Sequence, residues 1–238
     1  MRDQATRAAP SAKTDKLGLI TGHLGRLVRR GTVPLAGPVP GAQAPAPSNL
    51  PALPLESSEP DPRKTGVTPE LRARYHDIIE EPFWAIAHKC LPHTCVLVER
   101  LYDIFKTIEY ICRHDIEGDV VECGVGKGGS VMAAGESLAH FGCTQRKIYV
   151  YDTFEGMTPP GAHDFDYYGN HQSTIDASLL YWPGSGHFDE IREKLHLCRY
   201  PYDHFVLVKG PVEETLPGIM PDRIAFLRLD TDFYESTR

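Results

Sequence analysis

The sequence predicts an α/β fold in which helices cover both faces of a parallel β-sheet. Four short apolar runs in the second half of the chain have the length and composition of buried strands. Helical segments separate the first run from the second and the third from the fourth, an alternation that is typical of parallel sheets. Such sheets bind ligands at the carboxyl ends of their strands. The predicted strands are residues 119–123, 147–152, 205–210 and 224–230, and the helical segments are residues 129–141 and 212–216.

The first 65 residues are predicted to form a disordered extension rich in proline and alanine. Residues 33–62 contain nine prolines, which deny this stretch a helix or a central strand. Ahead of it, residues 16–30 could form a short basic amphipathic helix for a membrane surface, a partner helix or organellar targeting. Three glycines weaken that helix, so a frayed tail or sequence upstream of the true start site is the alternative.

Residues 66–115 are predicted to form a helical lid or cap. A helix is expected over residues 68–79, which begin with the threonine and proline that suit an N-cap and a first helical position. Pro82 either ends this helix or begins a new one. A stronger helix is expected over residues 95–113, where apolar side chains follow helical spacing closely.

The composition excludes several classes of function. The chain from residue 66 onward carries sixteen basic and twenty-seven acidic side chains, a poor electrostatic match for nucleic acid. Such a domain suits a small neutral or cationic ligand, or a divalent metal. No apolar run approaches the ~18 residues that a membrane span needs. Six scattered cysteines without a CxxC pair predict free thiols in a reducing cytoplasm.

A glycine-rich loop, Glu122-Cys-Gly-Val-Gly-Lys-Gly-Gly-Ser130, follows the first predicted strand and opens a helix. Its glycines permit close approach of the backbone to a ligand, as in NAD- and FAD-binding loops. Glu122, two residues before the first glycine, favours a ligand with an ammonium and a sulfonium, as in S-adenosylmethionine (SAM), over a pyrophosphate. Asp152, at the tip of the second strand, can accept the ribose hydroxyls of either kind of cofactor. SAM is therefore favoured, with NAD or a purely structural turn as alternatives.

Two carboxylates, Asp230 and Asp232, lie two residues apart at the end of the fourth predicted strand. One could ligate a hard cation such as Mg²⁺, which prefers oxygen ligands. The other could take a proton from a substrate hydroxyl, whose pKa a nearby metal would lower. The alternative is a capping aspartate beside a solvated one, which is common at strand-to-helix turns.

From about Thr94 onward, the chain resembles the macrocin O-methyltransferase family, which includes sugar O-methyltransferases of macrolide and aminocoumarin antibiotic biosynthesis. The matching motifs occur in the family's order. The matching blocks are Val98-Glu-Arg-Leu-Tyr102, Gly118-Asp-Val-Val-Glu-Cys-Gly-Val125, Gly128-Gly-Ser130, Tyr151-Asp-Thr-Phe-Glu-Gly-Met157, Lys209-Gly210 followed by Thr215-Leu-Pro217, and Leu229-Asp-Thr-Asp-Phe-Tyr-Glu-Ser-Thr237.

This resemblance implies a Rossmann-like, class I SAM-dependent methyltransferase fold, an Mg²⁺ ion and an acceptor hydroxyl on a sugar of a natural product. Residues 116–238 would form the N-terminal half of that domain, with sheet order 3-2-1-4. By position, Asp230 would ligate the metal and Asp232 would be the general base. The residues implied to bind SAM are Glu122, Gly124, Gly126, Ser130, Asp152, Gly210 and Glu213.

One departure concerns the end of the chain. The family completes its metal site with an Asp-Asp pair after a fifth strand, whereas this sequence ends at Arg238. We therefore expect the chain to be weakly stable and inactive as it stands. An NAD(P)-dependent oxidoreductase and a non-catalytic truncated remnant are the alternative interpretations, and a homo-oligomer is compatible with the sequence.

The stretch after the second predicted strand, residues 159–186, is long and rich in glycine, aspartate, histidine, tyrosine and serine. Its position predicts a mobile lid or an acceptor-binding wall, and an ordinary surface excursion is the alternative. His163 and His171 are expected to contact solvent. The aromatic residues that could stack on a sugar ring are Tyr167, Tyr168, Tyr181 and Trp182.

Overall fold

The computed structural model describes residues 62–167, 169–174, 186–216 and 218–238. Residues 1–61 of the predicted 65-residue extension lie outside these ranges, and its last four residues form a short helix. The described residues form one parallel sheet of four strands in the order β3-β2-β1-β4, which confirms the predicted topology. The strands are β1 (Asp119–Cys123), β2 (Ile148–Asp152), β3 (Phe205–Lys209) and β4 (Ile224–Leu229).

Helices precede the sheet and connect its strands. None of those in the described ranges combines the length and apolarity that crossing a bilayer requires. In chain order they are α1 (Pro62–Thr65), α2 (Pro69–Arg74), α3 (Glu81–Cys90), α4 (Val98–Arg113), α5 (Gly129–His140), α6 (Phe188–His196), α7 (Val212–Thr215) and α8 (Tyr234–Thr237).

The first predicted helix begins as expected but is shorter. The Thr68 hydroxyl caps α2 by accepting a hydrogen bond from the backbone N–H of Leu71 at 3.2 Å. The helix ends at Arg74 and does not continue to residue 79, because the chain turns to bury Ile78. The Ile78 carbonyl then accepts a hydrogen bond from the Trp84 indole at 3.0 Å. Pro82 is the second residue of a new helix, α3, and does not end the old one.

The helices predicted as a lid share one apolar core with the sheet. Buried side chains of α3, α4 and α5 belong to the same cluster as Val120 of β1 and Ile148 and Val150 of β2. Val121, Tyr151 and Val208 face the opposite side of the sheet. The buried stripe of α4 follows the predicted helical spacing and consists of Val98, Leu101, Ile104, Phe105, Ile108 and Ile111.

Helix α6 was not predicted, although β2 and β3 need a crossover to run parallel. Phe188, Ile191 and Leu195 have the spacing of an apolar helix face, and two acidic residues occupy the first turn. Ile191 and Leu195 are fully buried. The apolar spacing of this helix was overlooked in the sequence because a glycine- and serine-rich stretch precedes it.

The expectation of six free thiols is wrong for two of them. The structure joins Cys112, near the end of α4, to Cys143, just after α5, with their Cα atoms 6.2 Å apart. This Cα separation lies within the range that a disulfide can span. Cys90, Cys95, Cys123 and Cys198 are free.

A buried carboxylate on α5 ties three parts of the fold together. The Glu136 side chain is 2% exposed and accepts hydrogen bonds from Lys89 Nζ at 2.5 Å and from Arg199 Nε at 2.6 Å. The Arg199 backbone N–H donates a third bond at 2.9 Å. Burial raises the pKa of Glu136, but these hydrogen bonds outweigh burial and leave the pKa below its ordinary value.

Replacing Glu136 with glutamine should lower the free energy of unfolding by about 2–4 kcal/mol, because two cations lose their buried partner. Urea denaturation monitored by circular dichroism measures this change. The matched control is Glu193→Gln, at an exposed position of α6. Equal effects of the two substitutions would contradict the interpretation.

Candidate active site

A cleft of about 350 Å³ lies at the carboxyl ends of the four strands. Seven of the nine predicted site residues line it, whereas Glu122 and Ser130 lie buried outside its wall. Cys95, Val96, Tyr151 and Met157 complete part of its surface. The predicted residues in the lining are Gly124, Gly126, Asp152, Gly210, Glu213, Asp230 and Asp232.

Two glycines of the loop after β1 shape the floor of the cleft. Gly124 has a φ of +80°, and a Cβ atom there would lie 2.4 Å from the backbone oxygen of Asp230. A side chain would therefore push the ends of β1 and β4 apart. Gly126 has a φ of +51°, and a Cβ atom there would meet nothing within 4 Å. Its backbone thus borders open space, as close approach to a ligand requires.

Asp152 fastens the tip of β2 to the glycine loop. Its Oδ2 accepts a hydrogen bond from the Val125 backbone N–H and its Oδ1 one from the Phe154 backbone N–H, both at 2.7 Å. Phe154 has a left-handed φ of 54°, which is unusual for a residue with a side chain, and its ring packs edge-on against Phe188. The carboxylate keeps lone pairs that these bonds do not use, so it can still accept ligand hydroxyls.

Glu122 is 3% exposed and is hydrogen-bonded beneath the cleft. Its Oε1 accepts from Ser130 Oγ at 2.5 Å and from Arg228 Nη1 at 2.6 Å. Burial raises the pKa of Glu122 to about 7, against the opposing effects of the Arg228 charge and the Ser130 hydrogen bond. Arg228 was not among the predicted site residues, because its pairing with Glu122 depends on the register between β1 and β4.

Asp230 and Asp232 both face the cleft, at the end of β4. Asp230 Oδ2 accepts a hydrogen bond from Arg228 Nη2 at 2.8 Å. Burial and the negative charge of Asp230 raise the pKa of Asp232. Within the described ranges, no group of three or more histidine, cysteine, aspartate and glutamate side chains is placed to hold a metal ion.

The loop after β2 is tied to the turn that carries Asp232. The buried Asp164 accepts hydrogen bonds from the Tyr234 backbone N–H at 2.7 Å and from the Gly161 backbone N–H at 2.6 Å. His171 does not merely contact solvent, because its Nε2 lies 2.8 Å from the Gly161 carbonyl oxygen. Tyr168, Tyr181 and Trp182 lie outside the described residues.

The raised pKa of Glu122 predicts a pH-dependent stability. The unfolded carboxyl titrates near 4.5 and the folded one near 7, so only the folded state holds the proton between these values. The free energy of unfolding should therefore fall as pH rises through this interval, by up to about 3 kcal/mol from this group. The Glu122→Gln variant should lack that dependence.

Urea unfolding of both proteins at several pH values across the interval provides the measurement. As pH rises, the free energy of unfolding of the glutamine variant should increase relative to that of the wild type. Parallel pH profiles for the two proteins would show that Glu122 keeps an ordinary pKa.

The fold and the cleft together define a Rossmann-like domain of the methyltransferase type. The solved structure of the O-methyltransferase NovP matches with a TM-score of 0.53 and 27% sequence identity, over 61% of this chain and 58% of that chain. The family model described as Macrocin-O-methyltransferase (TylF) matches residues 74–238. The chain therefore belongs to the macrocin O-methyltransferase family.

Two curated relatives are O-methyltransferases by name. The 8-demethyl-8-(2,3-dimethoxy-alpha-L-rhamnosyl)-tetracenomycin-C 4'-O-methyltransferase of Streptomyces olivaceus is 32% identical over 149 residues, which cover 61% of this chain and 54% of that enzyme. The demethyldecarbamoylnovobiocin O-methyltransferase of Streptomyces niveus is 28% identical over 145 residues, with coverages of 61% and 54%. The chain spans about half the length of these relatives.

Proposed function

We propose that the chain supplies the cofactor site of a SAM-dependent, Mg²⁺-assisted O-methyltransferase that acts on a sugar hydroxyl of a glycosylated natural product. The observation that carries the proposal is the meeting of the glycine loop, Asp152, Asp230 and Asp232 in one cleft. Family membership supports methyl transfer to oxygen. The relatives' names contain a demethylated tetracenomycin and a demethylated novobiocin, and that of the tetracenomycin enzyme mentions a rhamnosyl group, which supports a glycosylated acceptor.

The cleft fits a cofactor of the size of SAM. Its volume of about 350 Å³ falls in the range of roughly 300–1,000 Å³ that small-molecule pockets occupy. The open space at Gly126 would receive the methionine portion, and the Asp152 carboxylate would accept the ribose hydroxyls. Gly210 and Glu213, after β3, would border the adenine.

Glu122 and Ser130 would act from beneath the methionine portion. Their hydrogen bond to each other and the contact of Glu122 with Arg228 hold a buried carboxyl group under the glycine loop, and this group is negatively charged above its pKa of about 7. A buried carboxylate favours a cationic ligand above it. The sequence predicted that both side chains contact SAM. We propose instead that they act on SAM electrostatically, through the floor of the cleft.

The carboxylates fit part of a magnesium shell. Mg²⁺ commonly binds one or two carboxylates and keeps several waters or substrate oxygens. Asp230 would hold the ion by its oxygen that does not contact Arg228, and Asp232 lies two residues away on the same turn. When bound, the ion would lower the pKa of an acceptor hydroxyl.

In the proposed mechanism, SAM supplies an activated methyl group and the protein supplies position and a base. The Asp232 carboxylate takes the proton of the acceptor hydroxyl at one of its oxygens. Its raised pKa makes it a stronger base than an ordinary aspartate. Asp164 keeps the loop after β2 against the turn that carries this base.

Isothermal titration calorimetry with S-adenosylhomocysteine (SAH), the demethylated product of SAM, and with NAD tests the proposal. We expect the chain to bind SAH and not NAD. Binding of NAD alone would favour an oxidoreductase, and binding of neither ligand by a folded chain would favour a non-catalytic protein. A methyl-transfer assay on a glycoside that lacks the methyl group then tests the acceptor class.

A further inference from the structure

Arg228 connects the two carboxylates that the proposed site assigns to different tasks. It lies on β4, directly opposite Glu122 of β1 in the register of the sheet. Its Nη1 donates to Glu122 Oε1 at 2.6 Å and its Nη2 to Asp230 Oδ2 at 2.8 Å. The guanidinium therefore spans from a buried carboxylate under the glycine loop to a carboxylate in the cleft.

The environment of Arg228 makes this bridge strong. The side chain is 15% exposed, and the Glu122 side chain is 4% exposed, so water screens their contact poorly. Asp230 is 51% exposed, which leaves its carboxylate open to the cleft. A planar guanidinium suits this bridge because Nη1 and Nη2 donate from separate positions, whereas a lysine would have to reach both carboxylates from one nitrogen.

We propose that Arg228 is a positioning residue that couples Asp230 to the cofactor end of the site through Glu122. Loss of the Asp230 carboxylate removes one of the two anchors of the guanidinium, which then no longer fixes the Glu122 carboxyl group under the methionine portion of the cofactor. The inference rests on the proposed function, because it requires that SAM or SAH occupies the cleft. Arg228 itself lines a neighbouring cavity and not the cleft.

If Arg228 couples the two carboxylates, Asp230 influences SAH affinity without touching the ligand. Without such coupling, Asp230 would change SAH affinity only by touching the ligand directly, since it also lines the cleft. The two possibilities differ in one respect. A direct contact persists when Arg228 is replaced, whereas an influence through Arg228 disappears.

A double-mutant cycle separates them. SAH dissociation constants are measured by calorimetry for the wild type, Asp230→Asn, Arg228→Gln and the double variant. We expect Arg228→Gln to weaken SAH binding at least about tenfold, because the carboxyl groups of Glu122 and Asp230 lose the side chain that holds both in place beside the cofactor. We expect Asp230→Asn to weaken binding in the wild-type background and to have no further effect in the Arg228→Gln background.

Two further variants distinguish a specific loss of SAH binding from a general loss of folding. Arg228→Lys keeps the positive charge, but its single nitrogen cannot occupy the positions of both Nη1 and Nη2, so it should recover part of the affinity while the coupling to Asp230 stays lost. The matched control is Arg223→Gln, just before β4, where an arginine that is 68% exposed pairs with Glu117. It should bind SAH as the wild type does. Thermal melting of each variant establishes that it is folded.

The outcomes are distinct. If Asp230→Asn changes SAH affinity by the same factor with and without Arg228, or if folded Arg228→Gln binds SAH as the wild type does, the coupling role is wrong and the proposed function stands. If the folded wild type does not bind SAH at all, the proposed function itself fails.

Discussion

In a complete enzyme that contains this cleft, replacing Asp232 with asparagine is expected to lower the rate of methyl transfer by about two to four orders of magnitude, the usual contribution of a general base. Asparagine has nearly the same shape as aspartate but cannot accept a proton at neutral pH. The affinity for SAH should change little, because the assigned cofactor contacts lie on the glycine loop, Asp152 and the segment after β3. A selective loss of turnover would therefore identify Asp232 as the base.

The rate is measured as radiolabelled methyl transfer from SAM to a glycoside that lacks the methyl group, and the affinity by calorimetry with SAH. The control is Asp222→Asn, an exposed aspartate in the connection that precedes β4. It should leave both quantities unchanged. Turnover by Asp232→Asn at the wild-type rate would exclude Asp232 as the base.

Replacing Asp152 with alanine is expected to weaken SAH binding by about two orders of magnitude, since charge-assisted hydrogen bonds contribute about 1.5–3 kcal/mol each. The loss has two sources. The ribose would lose its acceptor, and the backbone N–H groups of Val125 and Phe154 would lose theirs. Phe154 also has a left-handed backbone that the Asp152 bond helps to hold.

Calorimetry with SAH and thermal melting of the same variants measure the two effects separately. Asp152→Asn keeps one carbonyl acceptor and should bind SAH with intermediate affinity. Asp189→Ala, at an exposed position in the first turn of α6, is the control and should bind as the wild type does. If Asp152→Ala retained wild-type affinity, the ribose would lie elsewhere in the cleft.

The strands were predictable from the sequence because their signal is local. A buried parallel strand is a short apolar run, and the four predicted runs agree with the observed strands to within a residue at each end. The ends of helices depend on tertiary contacts instead. Residues 75–79 look helical in isolation, but burial of Ile78 and its bond to Trp84 end α2 at Arg74.

The composition of the cleft was predictable for the same topological reason. Every residue that follows a strand of a parallel sheet reaches the same edge, so the residues after β1, β2, β3 and β4 had to meet. Partners within the strands could not be predicted, because the pairing of Glu122 with Arg228 depends on the register between β1 and β4. The burial of Glu122 beneath the cleft could not be predicted either, because it depends on the packing of neighbouring elements.

The attachment of the loop after β2 has a consequence for sequence variation. Asp164 supplies the acceptors, whereas Tyr234 and Gly161 supply only backbone N–H groups. A backbone donor is common to every residue except proline, so the attachment tolerates many side chains at position 234 but depends on the carboxylate at 164. Homologues are thus expected to differ freely around residues 165–174 while they retain an aspartate at the loop's point of attachment.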